Sequence, residues 1–237
     1  MWEKIFSYDN EKIFVKPASE LTEYVGDPLS VVCAVNENAI TRPETHGIKD
    51  EEFIRGKAPM TKEEVRTVSL SKLCLAQDSI CYDVGAGTGS LSIEMALRAH
   101  QGKVWAIEKK EDAVELIRLN KAKFVADNLE IVEGLAPEAL TELPVPTHAF
   151  IGGSSGNLKE IVKLLIEKNP QVRIVINCIT LETVSEALET AKEFGFEENE
   201  IVQLGAARSK AIGRYHMMMG EIQFILLHCR RNRGETG

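Results

Sequence analysis

Cysteine is sparse and its spacing carries no motif. The five, Cys33, Cys74, Cys81, Cys178 and Cys229, contain no C-x-x-C, which excludes zinc-ribbon and dithiol redox patterns. Cys81 in "SICYDV" and Cys178 in "VRIVINC" fall in apolar strand-like runs, and the five are read as buried free thiols. The five histidines lack ligand spacing, so no metal site is expected. Aromatic residues are only 6% and the formal net charge is −8. A general nucleic-acid binder carries a basic balance or stripe, so nucleic acid is not an expected partner. An anionic ligand would need a local positive patch. No apolar run reaches the length of a membrane span. The opening "MWEKIFSYDNEKIF" alternates charged and apolar side chains, with neither the apolar region nor the cleavage site of a signal peptide. No membrane association is expected, and the location is read as cytoplasmic.

What is present is a regular alternation. Hydrophobic residues make up 44% of the chain, enough for a sizeable core. From residue 79, short apolar runs ("SICYDV", "KVWAIE", "LEIVEG", "THAFIGG", "VRIVINC") alternate with amphipathic ones ("SLSIEMALRAH", "KKEDAVELIRLNKAKF", "NLKEIVKLLIEKN", "TLETVSEALETAKEFG"). Strands alternating with helices predict a mostly parallel sheet covered on both faces. The last strand-like stretches, on either side of "GAARSKAIGRYHMMMG", have no helix between them and suit an antiparallel pair at a sheet edge. Before this block, "TKEEVRTVSLSKLCL" starts a helix, with Thr61 and Glu64 at capping-box spacing. Residues 1–46 hold two strand-like runs and a short helix, too little for a core of their own, and are read as an extension. Residues 231–237, which begin "RNRG", are read as a tail.

The stretch "DVGAGTGSLSIE" places Gly85, Gly87 and Gly89 at alternate positions between a strand and a helix. Missing side chains let a ligand lie on the backbone, and the helix that follows offers unpaired N–H groups. The spacing is G-x-G-x-G rather than the dinucleotide G-x-G-x-x-G, which suits a smaller ligand. Asp83 opens the loop and could meet a cation. Glu108 ends the next strand, about 20 residues on, where an acid accepts both hydroxyls of a ribose.

These residues resemble class I S-adenosylmethionine-dependent methyltransferases. The resemblance implies a Rossmann-like α/β fold, with a seven-stranded, mostly parallel sheet ending in a C-terminal antiparallel hairpin. "GIKDEEFIRGKAPMTKEEVRTVSLSKL", "DVGAGTGSLSIE", "EGLAPEAL" and "FIGGSSGNLKEIV", in this order, narrow it. Over residues 47–230 the chain is similar to the decarboxylating cobalt-precorrin-6B (precorrin-6Y) C15-methyltransferases of cobalamin synthesis. Residues 1–46 resemble the end of a C5-methyltransferase often fused upstream, which implies a separate C5-methyltransferase as a partner.

By this resemblance S-adenosyl-L-methionine contacts Thr61, Asp83, Gly85, Ala86, Gly87, Thr88 and Gly89, with Glu108 at the ribose and Leu135 and Ala136 at the adenine. The family often has an acid where Leu135 stands, and leucine packs on a ring but accepts no hydrogen bond. The implied substrate is a tetrapyrrole with many carboxylates. Arg208, Lys210 and Arg214 lie in a stretch without acids and are the candidates to hold them. No catalytic base is identified; His148 and His216 are read as structural. Met217, Met218 and Met219 would line an apolar wall, pack in the core or contact another subunit, and the family suggests a homotetramer. Two other readings stand beside this one. A class I methyltransferase acting on RNA or protein carboxyls would need a basic or aromatic surface, or a peptide groove. A cofactor-binding module without turnover would yield no methylated product.

Overall fold

The computed structural model describes residues 2–4, 12–26, 30–36, 46–196, 198–220 and 224–230. The chain divides into two units, Met1–Thr41 and Arg42–Gly237. In the first, β1 (Trp2–Lys4) lies between β2 (Lys12–Phe14) and β3 (Ser30–Val32), antiparallel to both. Phe14 meets Tyr24 edge-on, with ring centroids 5.4 Å apart. None of this unit's described side chains is buried.

The second unit runs α1 (Glu63–Leu73), β4 (Ile80–Val84), α2 (Ser90–Arg98), β5 (Lys103–Glu108), α3 (Glu111–Phe124), β6 (Leu129–Glu133), β7 (His148–Ile151), α4 (Leu158–Lys168), β8 (Arg173–Cys178), α5 (Leu181–Glu193), β9 (Glu198–Leu204), β10 (Ala207–Ile212), β11 (Tyr215–Gly220) and β12 (Phe224–Arg230). Seven strands form one sheet in the order β6-β5-β4-β7-β8-β12-β9. Neighbours from β6 to β8 are parallel, and β12 runs antiparallel between β8 and β9. The chain adds strands outward from β4 to β6, then returns to place β7 on the other side of β4. In open α/β sheets such a reversal opens a crevice at the strands' carboxyl ends.

Strand alternation divides the core between the two faces. Cys81, Val104, Phe150 and Val175 pack with Leu73, Ile93 and Ile117 of α1–α3. Their strand neighbours Tyr82, Trp105, Ile151 and Ile174 pack with Leu158, Leu165 and Ala187 of α4 and α5. These apolar strands are those expected of a parallel sheet buried on both sides.

Three details depart from the sequence reading. Thr61 and Glu64 form no capping box. Lys62 precedes the helix without a side-chain cap, and the Glu63 N–H donates to Asp50 Oδ1 at 3.0 Å. Asp50 is free to do this because Arg66, wholly buried, fixes it: Arg66 Nη1 donates to Asp50 Oδ1 at 2.8 Å and Nε to Glu94 Oε1 at 2.7 Å. The same guanidinium donates to the carbonyls of Thr61 and Ile48, and Glu94 Oε2 accepts from the Gly47 N–H at 2.7 Å. This network straps residues 47–62 against α2, which no local pattern announces. Second, the segment between β9 and β12 is itself a hairpin, β10–β11, turning at Gly213, whose φ of +60° favours a two-residue hairpin turn. Third, Cys81 and Cys178 are buried free thiols, but Cys33 and Cys74 are exposed. Cys74 ends α1 in the left-handed region, where its side chain leaves the core. The Cys229 side chain and residues 231–237 lie outside the described residues.

Candidate active site

A cleft of about 240 Å³ opens at the carboxyl ends of β4, β5 and β7, beside the point where the strand order reverses. Its floor is the glycine loop after β4. Gly85, Gly87 and Gly89 have φ of +75°, +57° and +75°, a region costly for side chains with a Cβ. A Cβ on Gly85 would stand 2.7 Å from the Gly153 carbonyl oxygen, and one on Gly89 would stand 3.0 Å from Ile117. On Gly87 it would collide with the Pro59 carbonyl. The glycines therefore first let three protein segments close around the loop, of which Gly85 and Gly87 line the cleft. The N–H groups of Gly85 and Ala86 donate to the Ile107 carbonyl at 2.9 and 3.1 Å, which ties the loop to the end of β5.

Glu108, 9% exposed, ends β5 at the cleft wall. Its Oε2 accepts from the Gly87 N–H at 2.9 Å, and Oε1 accepts from the N–H groups of Lys109 and Lys110 at 2.9 and 3.0 Å. The carboxylate is thus fixed in direction, and its oxygens keep further acceptor sites. Leu135, 41% exposed, and Ala136 form an apolar wall. Opposite stand Gly152–Ser155, after β7, with Lys109 Nζ donating to Ser155 Oγ at 2.9 Å.

The structure brings Gly85, Gly87, Glu108, Leu135 and Ala136 to one cleft. Asp83 lies beneath it, 1% exposed, accepting from the Ser92 hydroxyl of α2. Burial pushes the Asp83 carboxyl up to about 7; the Ser92 hydrogen bond opposes the shift and the nearby Glu108 adds to it. Thr88 is buried with its Oγ1 lacking a hydrogen-bond partner among the described residues. Ala86, Thr88, Gly89 and Thr61 do not line the cleft. Arg208 does not either: its guanidinium donates to Glu64 at 2.8 Å and Glu63 at 3.4 Å on α1, and holds the Glu64 carboxyl below the usual carboxylate range. Lys210 and Arg214 are exposed on the β10–β11 hairpin, with the Arg214 guanidinium over the Tyr215 ring at 5.1 Å. His148 stands at the start of β7, the end remote from the cleft, and His216 is exposed on β11.

An apolar wall beside a fixed buried carboxylate suits a ligand that pairs a flat apolar ring with hydroxyl donors, as a nucleoside does. Residues 52–230 match the family of the precorrin methyltransferase domain. The chain belongs to that family. It is 43% identical over 177 residues to a protein of Pyrobaculum calidifontis named "Probable cobalt-precorrin-6B C(15)-methyltransferase (decarboxylating)", covering 73% of this chain and 90% of that one. A solved precorrin-6y C5,15-methyltransferase from Geobacter metallireducens superposes with a TM-score of 0.76 at 36% identity, covering 81% of this chain and all of that one. The precorrin-8W decarboxylase of Methanobacterium thermoautotrophicum gives 0.73 at 34%, covering 77% and 98%.

Sequence reasoning missed the role of the far wall, Gly152–Ser155, and of Pro59. Both lie in stretches that carry the family resemblance, but only the fold shows that they close on the loop. The paired glycines directly after the apolar "HAFI" were the available signal, because glycine at a strand end marks close backbone approach.

Proposed function

We propose that the chain is an S-adenosylmethionine-dependent C-methyltransferase that methylates C15 of a (cobalt-)precorrin-6B macrocycle and removes a carboxylate from it, in cobalamin biosynthesis. The observation that carries this reading is the match to a relative so named across 90% of that relative's length. The cleft supports it. Glu108 would accept from the ribose hydroxyls, and Leu135 and Ala136 would cover the adenine. The loop from Asp83 to Gly89, with Thr61 beside it, would hold the methionine portion, Gly85 and Gly87 from the cleft floor. When bound, the cofactor supplies a methyl group already activated on a sulfonium. The chain's part is then to orient two ligands and exclude water, for which positioning alone is a large effect.

The glycine loop is built for such positioning, being fixed by Ile107, Glu108 and Gly153 rather than left mobile. Leu135 gives the adenine packing area and no acceptor, so discrimination of the amino group falls to the backbone around Ala136. Arg208, Lys210 and Arg214 would pair with substrate carboxylates, Arg208 by exchanging Glu64 for one of them. Residues 1–46 would be dispensable for methyl transfer and reflect a separate C5-methyltransferase. Tyr215, Met217 and Met218, all more than half exposed on β11, would be covered by other copies in a homotetramer. Among the described residues no helix is long and apolar enough to cross a membrane, and a cytoplasmic site of action fits the proposed pathway. Incubation with methyl-labelled S-adenosylmethionine and precorrin-6B, or its cobalt form, should move label into the macrocycle. Label appearing in RNA or protein instead would overturn the reading.

A further inference from the structure

Two cavities meet at one wall. The cleft of about 240 Å³ and a second cavity of about 350 Å³ are both lined by residues 152–155, and the second continues to Thr180 after β8 and to Thr183 and Glu186 of α5. The cation at this junction is Lys109. It follows β5, and Ser155 follows β7, the strands that flank β4 in the sheet. Lys109 Nζ donates to Ser155 Oγ at 2.9 Å, so the side chain bridges the two walls of the cleft.

An ammonium has three donors, and Ser155 takes one of them. Among the described residues Lys109 is in no ion pair. Ser155 has φ of +54°, uncommon for a residue with a Cβ, and Gly156 follows at +88°. Such backbone persists where its surroundings fix it, often at ligand clamps. The other cations considered for the substrate stand elsewhere. Arg208 is engaged by Glu63 and Glu64, Lys210 and Arg214 lie on the β10–β11 hairpin, and none of the three lines either cavity. A macrocycle carboxylate near the cofactor therefore has Lys109 to meet it. Glu186 lines the α5 side of the second cavity and repels such a carboxylate toward the lysine end.

We infer that Lys109 is a substrate-binding residue: its ammonium, oriented by the Ser155 hydroxyl, pairs with a carboxylate of the incoming macrocycle and positions the reacting carbon at the mouth of the cofactor cleft. The inference rests on the proposed macrocycle reading and adds to it the cation that meets the substrate where the two cavities join. The cofactor makes no competing demand on this amine. Its adenine and ribose carry no anion, and its own carboxylate belongs to the methionine portion, assigned to the loop from Asp83 to Gly89.

The test is Lys109→Met, which keeps the stem and removes the charge, run beside Lys109→Arg, Ser155→Ala and wild type. Each is assayed with methyl-labelled S-adenosylmethionine and precorrin-6B or its cobalt form, and cofactor binding is titrated separately by calorimetry. Loss of a hydrogen bond to a charged group should raise the KM for the macrocycle about tenfold in Lys109→Met. Its kcat should stay within about threefold, the pattern of lost binding rather than lost chemistry. Lys109→Arg should recover most of the loss. Ser155→Ala should raise KM about two- to threefold alone and add nothing to Lys109→Met, because the hydroxyl acts through the amine. The wild-type KM should rise with salt more steeply than that of Lys109→Met. Cofactor affinity should stay within about twofold in every variant. Wild type that leaves the macrocycle unmethylated defeats the macrocycle reading, and the inference falls with it. With wild type active, an unchanged KM in Lys109→Met overturns the inference alone. A fall in cofactor affinity that accounts for the rise in KM also overturns it and assigns the amine to the cofactor. Lys109 is exposed, so the variants should melt with wild type; a Lys109→Met protein that unfolds would make the lysine structural and overturn the inference too.

Discussion

Replacing Glu108 probes the cofactor cleft at the residue with the most fixed geometry. Its carboxylate holds three backbone N–H groups, those of Gly87, Lys109 and Lys110, within 2.9–3.0 Å. Glu108→Ala removes the proposed ribose acceptor and leaves those donors to water. Charge-assisted hydrogen bonds to the ribose are worth roughly 1.5–3 kcal/mol, so S-adenosylmethionine affinity should fall about ten- to a hundredfold. Loss of the loop's anchor should also cost about 1 kcal/mol of stability, lowering the melting temperature by about 2–4 °C in a domain of this size. Glu108→Gln keeps one acceptor oxygen and should lie between the two. Calorimetric titration with the cofactor and its demethylated product, beside thermal denaturation, separates binding from stability. An affinity loss below about twofold in folded Glu108→Ala would show that the carboxylate does not face the ribose. A loss of stability with unchanged affinity would reduce Glu108 to a loop anchor.

Three further outcomes follow from the same contacts. A chain beginning at His46 should fold and keep turnover. One beginning at Phe53 should not, because it strips Asp50, Ile48 and Gly47 from Arg66 and Glu94 and leaves buried charges unpaired, at about 3–5 kcal/mol; equal solubility of the two would refute the strap. Asp83 has its folded pKa raised from 3.8 to about 7, so its contribution to stability is full below the unfolded pKa and is lost as pH rises through about 7. Asp83→Asn, which mimics the protonated form, should therefore stabilise the protein at about pH 8 relative to about pH 5, on the order of 1–3 kcal/mol, and a flat difference across that window would contradict the assigned burial. Alkylation of the native protein should modify Cys33 and Cys74 and spare Cys178 and Cys81, whose thiols burial pushes up to about 11 and 12; peptide mapping that finds Cys81 labelled in folded protein would contradict its place in the core.

Much of the fold was legible because its signals are local. Apolar runs such as "VWAIE" and "RIVINC" sit on interior strands buried on both faces, so their hydrophobicity does not depend on register. The glycine loop and Glu108 were legible for a similar reason, since backbone freedom and an acid at a strand end have few other uses. Other features depended on partners distant in sequence. Glu64 has the spacing of a cap but spends its charge on Arg208, 144 residues away. Asp50 caps α1 from 13 residues before Glu63, beyond the reach of a capping-box spacing. Arg208, by its position in a basic stretch, suggests a free cation, and only the packing of the hairpin on α1 shows it engaged. Alternate glycines read as room for a ligand; what that reading leaves out is that their missing Cβ atoms also make room for Pro59, Gly153 and Ile117.

The central claim is that one active site joins methylation at C15 to loss of a carboxylate. Its most direct test is a single reaction of the full chain with carbon-13 methyl-labelled S-adenosylmethionine and precorrin-6B or its cobalt form, with the purified product assigned by NMR and mass spectrometry. The account predicts one labelled methyl at C15 and one carbon dioxide lost from the same molecule. A labelled methyl at another position, or no macrocycle product alongside demonstrated cofactor binding, would contradict it.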